Sequence, residues 1–257
     1  MRFDFSNLCA LRDTLGHLME RYEEDEDAFQ QFYDAVAKKS LRSHSIGSVP
    51  IYTGADAVLE YIRWFYATTP SVSLDDCTDA LYLRLEDKIS CSDGAQIDLP
   101  TICRVLAMVD ELFSLSQKLH PISIAIIDAE MDGRNGESIA VFGDDDCSGA
   151  IFLYRMWNDF GGRFTPATVL LHELGHQLHF HLTGELRRIP ESFYAFLRQL
   201  GADDTNASDA DMIELFADTF LLAVIHKTKE FGDPFPEISE KIKEHCYSYI
   251  RNILPTE

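Results

Sequence analysis

No run of 18 apolar residues occurs in the sequence, so no transmembrane helix and no membrane partner are expected. Basic residues are scarce. Only 22 Lys and Arg stand against 43 Asp and Glu, a formal net charge of -21. Binding to a phosphate backbone needs a basic face, so nucleic acid is a poor partner and none is expected. Solubility is the simplest account of the acidic excess, and a basic peptide or protein is the partner it would favour. The six cysteines, Cys9, Cys77, Cys91, Cys103, Cys147 and Cys246, contain no CxxC pair. That removes a zinc ribbon, and in a long apolar-rich chain it indicates buried thiols rather than a disulfide framework. The opening stretch MRFDFSNLCALRDTLGHLME lacks the clean apolar region and small-residue cleavage site of a secretory leader, so the expected location is the cytoplasm. No internal repeat is evident.

With 46% hydrophobic residues, the chain can bury a sizeable core in one large domain or two small ones. Residues 1 to about 120 read as helical. Leu8, Leu11, Leu15 and Leu18 form a helical stripe, and Phe29, Phe32, Tyr33 and Val36 form a second behind the acid run Glu23–Asp27, itself read as a solvated face near a helix start. GADAVLEYIRWFYATTP gives a third helix stopped at Pro70, and DLPTICRVLAMVDELFSLSQKL a long one with Asp98 as N-cap. From Pro121 the texture becomes β-rich: ISIAIIDA, SIAVFG and AIFLYRMW are separated by polar turns. A helix follows, with Thr165 as N-cap, Pro166 in its first position and Gly184 as its stop, and three more helical segments complete the chain. The stretch from Gly201 to Asp211 is the one linker-like segment. The expected fold class is α+β: a helical N-terminal region over 1–120, then a domain over 121–257 with a small mixed or antiparallel sheet.

The loop beginning at Asp128 has acids at alternate positions and Gly133 sixth, as a calcium loop does. Its twelfth position is Ile139, where a bidentate glutamate is needed, and its flanks read as strands. It reads as a polar hairpin turn.

The densest chemistry lies in LLHELGHQLHFHL, residues 170 to 182, which holds four of the nine histidines. A core helix tolerating a few polar residues is the plain alternative. His172-Glu173-Leu174-Gly175-His176, however, is an HExxH, and residues four apart share one helix face. His172 and His176 can therefore offer two imidazole nitrogens to one zinc ion. Glu173, beside the first ligand, is placed to take a proton from a water that the metal activates. The third ligand of metzincins would fall at position 182, which is Leu182, so that class is excluded. His179 is a turn further along, and three imidazoles in a row on one helix do not converge easily. It is expected beside the ligands or in the cleft, and His181 elsewhere.

A better third ligand is Glu214, in the apolar segment DADMIELFADTFLLAVI, with Asp218 one turn later. Met212, Ile213, Leu215, Phe216 and Phe220 surround the two acids. A buried carboxylate pair without a cation is costly, and a zinc ion would account for it. Glu214 would ligate, and Asp218 would accept a hydrogen bond from the outer nitrogen of a ligating histidine. The alternative is that both acids face solvent at the edge of the stripe.

This pattern resembles the gluzincin class of zinc peptidases, with HExxH on one helix and Glu on a later one. Its details are similar to the intracellular ImmA/IrrE-type metallopeptidases, whose HELGH is followed by a glutamate with Ala three on, Asn or Asp four on and Phe six on. Here those positions are Glu214, Ala217, Asp218 and Phe220. The resemblance covers residues from about 120 to 228. It departs in the 37 residues that separate His176 from Glu214, and the N-terminal half lies outside it. It implies a zincin-like fold, one zinc ion per chain and hydrolysis of a peptide bond in a peptide or protein substrate. It also implies an edge strand that binds the substrate backbone, for which GAIFLYR, residues 149 to 155, is the candidate. Asp144, Asp145 and Asp146, read as a solvated loop, would flank that cleft and favour basic substrate residues. Tyr194, Tyr154, His226 and His179 are candidates for stabilising the transition state. The rival reading is a catalytically silent zincin scaffold, in which the metal holds the fold and the helical half binds a partner. An intact Glu173 argues against it.

Overall fold

The computed structural model describes residues 3–21, 27–68, 99–127, 134–143, 147–154, 164–201 and 207–254. The acid run up to residue 26, the Pro70 stop, the Asp98 N-cap, the Asp128 loop up to residue 133, the Asp144–Asp146 run and Arg155 lie outside them. Nine helices and five strands occur among the described residues. They are α1 Leu8–Arg21, α2 Asp27–Lys38, β1 His44–Ile46, β2 Val49–Thr53, α3 Gly54–Thr68, α4 Leu99–Phe113, α5 Leu115–Lys118, β3 Ile122–Ile126, β4 Gly136–Phe142, β5 Cys147–Leu153, α6 Pro166–Thr183, α7 Glu191–Gln199, α8 Asp209–Thr228 and α9 Glu240–Ile253. None of the described helices is long and apolar enough to cross a membrane.

The strands form one mixed sheet in the order β1-β2-β3-β5-β4. The β2–β3 and β3–β5 pairs are parallel, and the two outer pairs are antiparallel. Two features differ from the sequence reading. First, β1 and β2 lie in the region expected to be helical, joined by a two-residue Gly47-Ser48 turn with Gly47 at φ 57°. Ile51 of β2 pairs with Ile124 of β3, so the sheet runs across residue 120. Second, the strand GAIFLYR is not an edge. It forms most of β5, which lies between β3 and β4, and β4 is the edge. The residues explain the exchange. Ala150 to Tyr154 are apolar and buried throughout, as suits an inner strand, whereas β4 carries Glu137, Ser138 and the exposed Val141.

Both sheet faces are covered. Ile124, Ile126, Ile151 and Leu153 join a core with α4, α6, α8 and α9. Their neighbours Ala125, Ala150, Phe152 and Tyr154 point the other way, into a core with α1, α2 and α3. That second layer is also tied by polar contacts. The buried Glu60 of α3 accepts from Trp64 Nε1 and from Ser123 Oγ of β3, both at 3.0 Å, which satisfies a carboxylate that would otherwise be costly to bury.

Helix α6 runs between the sheet and α8. Thr165 caps it through a capping box with Thr168, Pro166 opens it, and Gly184 closes it at φ 68°. Leu170, Leu171 and Leu178 are fully buried, and truncating one to alanine would cost about 2–5 kcal/mol. The crossing with α8 is close. A Cβ added to Gly175 would lie 2.7 Å from Ala217 Cα and 2.9 Å from Ala217 O, both backbone atoms that cannot step aside.

This contact fixes the sign of one substitution. In an open helix, Gly→Ala gains about 1 kcal/mol. Here overpacking of about 1–3 kcal/mol opposes it. Gly175→Ala should therefore lower the melting temperature, measured by calorimetry or circular dichroism. A raised melting temperature would show that the two helices do not touch in this way.

Candidate metal centre

The α6–α8 crossing brings His172, His176 and Glu214 together, with their ligating atoms all within 4.8 Å of one another. His172 Nε2 lies 3.1 Å from His176 Nε2 and 3.1 Å from Glu214 Oε2, and His176 Nε2 lies 3.6 Å from Glu214 Oε1. A tetrahedral ion about 2.0–2.2 Å from each ligand sets its ligands about 3.3–3.6 Å apart, close to this spacing. Asp218 completes the set. Its Oδ1 is 2.9 Å from His172 Nδ1, which makes Nδ1 the protonated nitrogen and turns Nε2 toward His176 and Glu214.

The electrostatics call for a positive charge at this point. Burial opposes charging His172, yet its hydrogen bonds to Asp218 and Glu214 outweigh burial and raise it from 6.5 to about 10. His176 is pushed the other way, to about 3, by burial and then by the charge on His172. Glu214 is lowered, chiefly by its hydrogen bond with His172. Two imidazole nitrogens and a carboxylate oxygen are a donor set that suits a divalent cation.

One premise of the sequence reading is corrected. Glu214 and Asp218 are not a buried pair: their side chains are 63% and 29% exposed. Leu215 beside them is exposed as well, while Met212, Phe216 and Phe220 face the core. The ligand set therefore opens to solvent on its Glu214 side.

Glu173 is buried, and its carboxylate lies against the edge strand. A Cβ on Gly136 of β4 would come within 2.6 Å of Glu173 Oε1. Ser138, also on β4, donates its hydroxyl to the Glu173 backbone oxygen at 2.9 Å. Burial pushes the Glu173 carboxyl up to about 7, against the opposing pull of His172.

The other expected residues fall elsewhere. His179 is fully buried beside the cluster, its ring centroid 5.9 Å from that of His176, and its Nε2 is 3.2 Å from Leu186 O. His181 is half-buried, with its ring near that of His120. Tyr154 lies in the core on the opposite sheet face and donates its hydroxyl to Glu137 Oε2 at 2.8 Å. His226 follows Glu214 by twelve residues, about 18 Å along α8, and its Nδ1 is 3.2 Å from Glu240 Oε2. Tyr194 is half-buried on α7 and packs against the core.

Sequence reasoning missed Ser138 and Gln177. Gln177 is fully buried, and its amide donates to Ile139 O and Ala150 O at 3.1 Å each, clamping α6 to β4 and β5. A glutamine inside an otherwise apolar helix was the available signal for it. For Ser138 there was none, because one hydroxyl on a strand is unremarkable.

Removal of single groups should rank the ligands. The purified protein should carry about one zinc per chain, as one catalytic-type site would. Glu214→Ala should weaken zinc binding far more than Glu230→Ala, a change at an exposed position. Asp218→Ala should weaken it about 10–100-fold, as loss of a group that orients a ligand does. Elemental analysis and competition against a chelator measure all three, and equal affinities would remove Glu214 from the ligand set.

Comparison of the chain with protein-family models, curated proteins and solved structures returned no match, so the reading of this centre rests on its own geometry.

Proposed function

We propose that the protein is a zinc-dependent peptidase with a zincin-like fold, acting in the cytoplasm on a peptide or protein substrate. The observation that carries this reading is the convergence of His172 Nε2, His176 Nε2 and the Glu214 carboxylate, with Asp218 behind His172 and Glu173 alongside. When bound, a zinc ion supplies Lewis acidity, which acidifies water and polarises a carbonyl.

The rest of the chemistry belongs to the chain. Asp218 holds the Nδ1 hydrogen of His172 and keeps Nε2 available as a donor atom. Glu173 takes the proton of the attacking water on a carboxylate oxygen and returns it to the leaving amine. Its place next to Gly136 and Ser138 sets it between the ligands and the edge strand. Among the described residues the outer side of β4 has no neighbour in the sheet, so an extended peptide can pair with its backbone there, a task the interior position of β5 denies to GAIFLYR. The exposure of Glu214 leaves the centre open to such a peptide.

Enzyme and scaffold separate at Glu173. Its side chain starts about 100° around the helix from His172, so it is dispensable for holding the ion and needed for proton transfer. Glu173→Gln should retain zinc and the fold while hydrolysis of any peptide the native protein cuts falls about 10²–10⁴-fold. A peptide-library digest of both zinc-loaded proteins measures this. Equal rates would refute the mechanism, and a library that neither protein cuts would favour the silent scaffold.

A further inference from the structure

Gln177 follows His176 as Glu173 follows His172, so these two buried polar residues stand four apart on one face of α6. That face lies on the sheet, where two glycines make room for it. A Cβ on Gly136 of β4 would come within 2.6 Å of Glu173 Oε1. A Cβ on Gly149 of β5 would overlap the Gln177 amide oxygen and lie 2.7 Å from His120 Nε2. Both ends of the Gln177 amide are engaged. Its nitrogen donates to Ile139 O of β4 and Ala150 O of β5, and its oxygen therefore faces His120 Nε2, at 2.9 Å. Ser138, next to Ile139, makes a tie in the other direction, from its hydroxyl to Glu173 O. Two adjacent residues of the edge strand are thus hydrogen-bonded to the helix that carries the HExxH. An apolar side chain could fill the place of Gln177, but apolar packing has no direction. A satisfied buried network does, and it specifies one arrangement.

We propose that Gln177, with Ser138, is a positioning residue for hydrolysis: it sets the edge strand β4, and with it a peptide paired to that strand, in place against the metal centre. The proposal rests on the peptidase reading above. None of the Gln177 hydrogen bonds goes to His172, Glu173, His176 or Glu214. Its effect passes through β4. A peptide that joins β4 takes its position from that strand, so a displaced strand displaces the scissile carbonyl from Glu173 and the ligands.

The test replaces Gln177 by Met, which keeps the length of the side chain and removes its hydrogen bonds. Leu178→Ala is the control, a change at a fully buried neighbour with no polar tie to the sheet. Both changes lower stability, so the zinc-loaded full chains are compared well below their melting temperatures. Gln177→Met should leave zinc affinity unchanged and lower kcat about 10–100-fold with little change in KM, as a misplacement of about 1 Å does. Leu178→Ala should leave kcat near the native value. A kcat in Gln177→Met equal to that of the native protein or of Leu178→Ala would overturn the proposal. The second readout needs no activity. Amide hydrogen exchange should quicken in Gly136–Phe142 of Gln177→Met relative to Asp209–Thr228, and should not do so in Leu178→Ala. Unchanged exchange in β4 would overturn the proposal whether or not a peptide is cut. If exchange quickens while the native protein cuts no peptide, the peptidase reading fails and the placement of β4 by Gln177 stands. Should Gln177→Met not fold, Ser138→Ala removes the neighbouring tie, and native kcat with native β4 exchange in that variant would overturn the proposal.

Discussion

Helices α6 and α8 meet backbone to backbone where Gly175 faces Ala217, and the candidate centre is assembled outward from that contact. His172 and Glu214 each stand three residues before the contact on their own helix, about one turn away. His176 and Asp218 each stand one residue after it. An ordinary side chain at 175 would push the helices apart and lengthen each distance in the cluster at once. The glycine of HELGH is thus part of the geometry of the cluster, although it contributes no side chain to it. Ala217 plays the same part from the other side, which gives a physical reason for a small residue three positions after Glu214.

Charge, rather than burial, distinguishes this cluster from a tolerated polar patch. Glu214 is well exposed, so keeping it ionised costs little. What is unusual is the approach of two imidazole nitrogens to 3.1 Å with carboxylates on both sides of one ring. Two neutral nitrogens facing each other repel unless a proton or a metal ion lies between them. Asp218 resolves which nitrogen of His172 faces inward. Glu173 packs on Gly136 of the edge strand and makes none of the close contacts within the cluster of His172, His176 and Glu214.

Much of this was legible in the sequence, and the parts that were not share a cause. The ends of α6 were readable because Thr165, Pro166 and Gly184 are local signals that tertiary packing did not overrule. The HExxH spacing is readable because helical periodicity converts sequence distance into a face, whereas Glu214 is picked out by its motif and by an expected burial that the structure does not bear out. Strand order was not readable. A sheet covered on both sides makes its inner strands continuously apolar, and the alternation that would assign a face disappears. ISIAI and CSGAIFL carry the same signal, so nothing local says which lies inside. The β1–β2 hairpin was missed for a different reason. Its strands have three and five residues, and only the Gly47-Ser48 pair marks the turn. The exposure of Glu214 matches the alternative in which the acids face solvent at the edge of the stripe, because α8 leaves one side of its first two turns in solvent.

The same consideration applied to α6 shows why its histidines are crowded. Each step along the helix turns about 100°, so successive residues meet different surroundings. His172 and His176 face α8 and the candidate ion site. Glu173 turns toward β4, Gln177 toward the carbonyls of β4 and β5, and Leu174 toward a cavity also lined by His120. Gly175 closes the crossing. A helix with an apolar face and a wet face needs polar residues on one side only. Helix α6 is buried nearly all round, so most of the polar groups it carries find a partner within the fold, His179 Nδ1 being an exception. His172, His176, Gln177 and His179 each have at least one. The polar content of this segment is therefore set by what surrounds the helix on every side, and the two histidines four residues apart are the pair whose surroundings include a carboxylate but no other cation among the described residues.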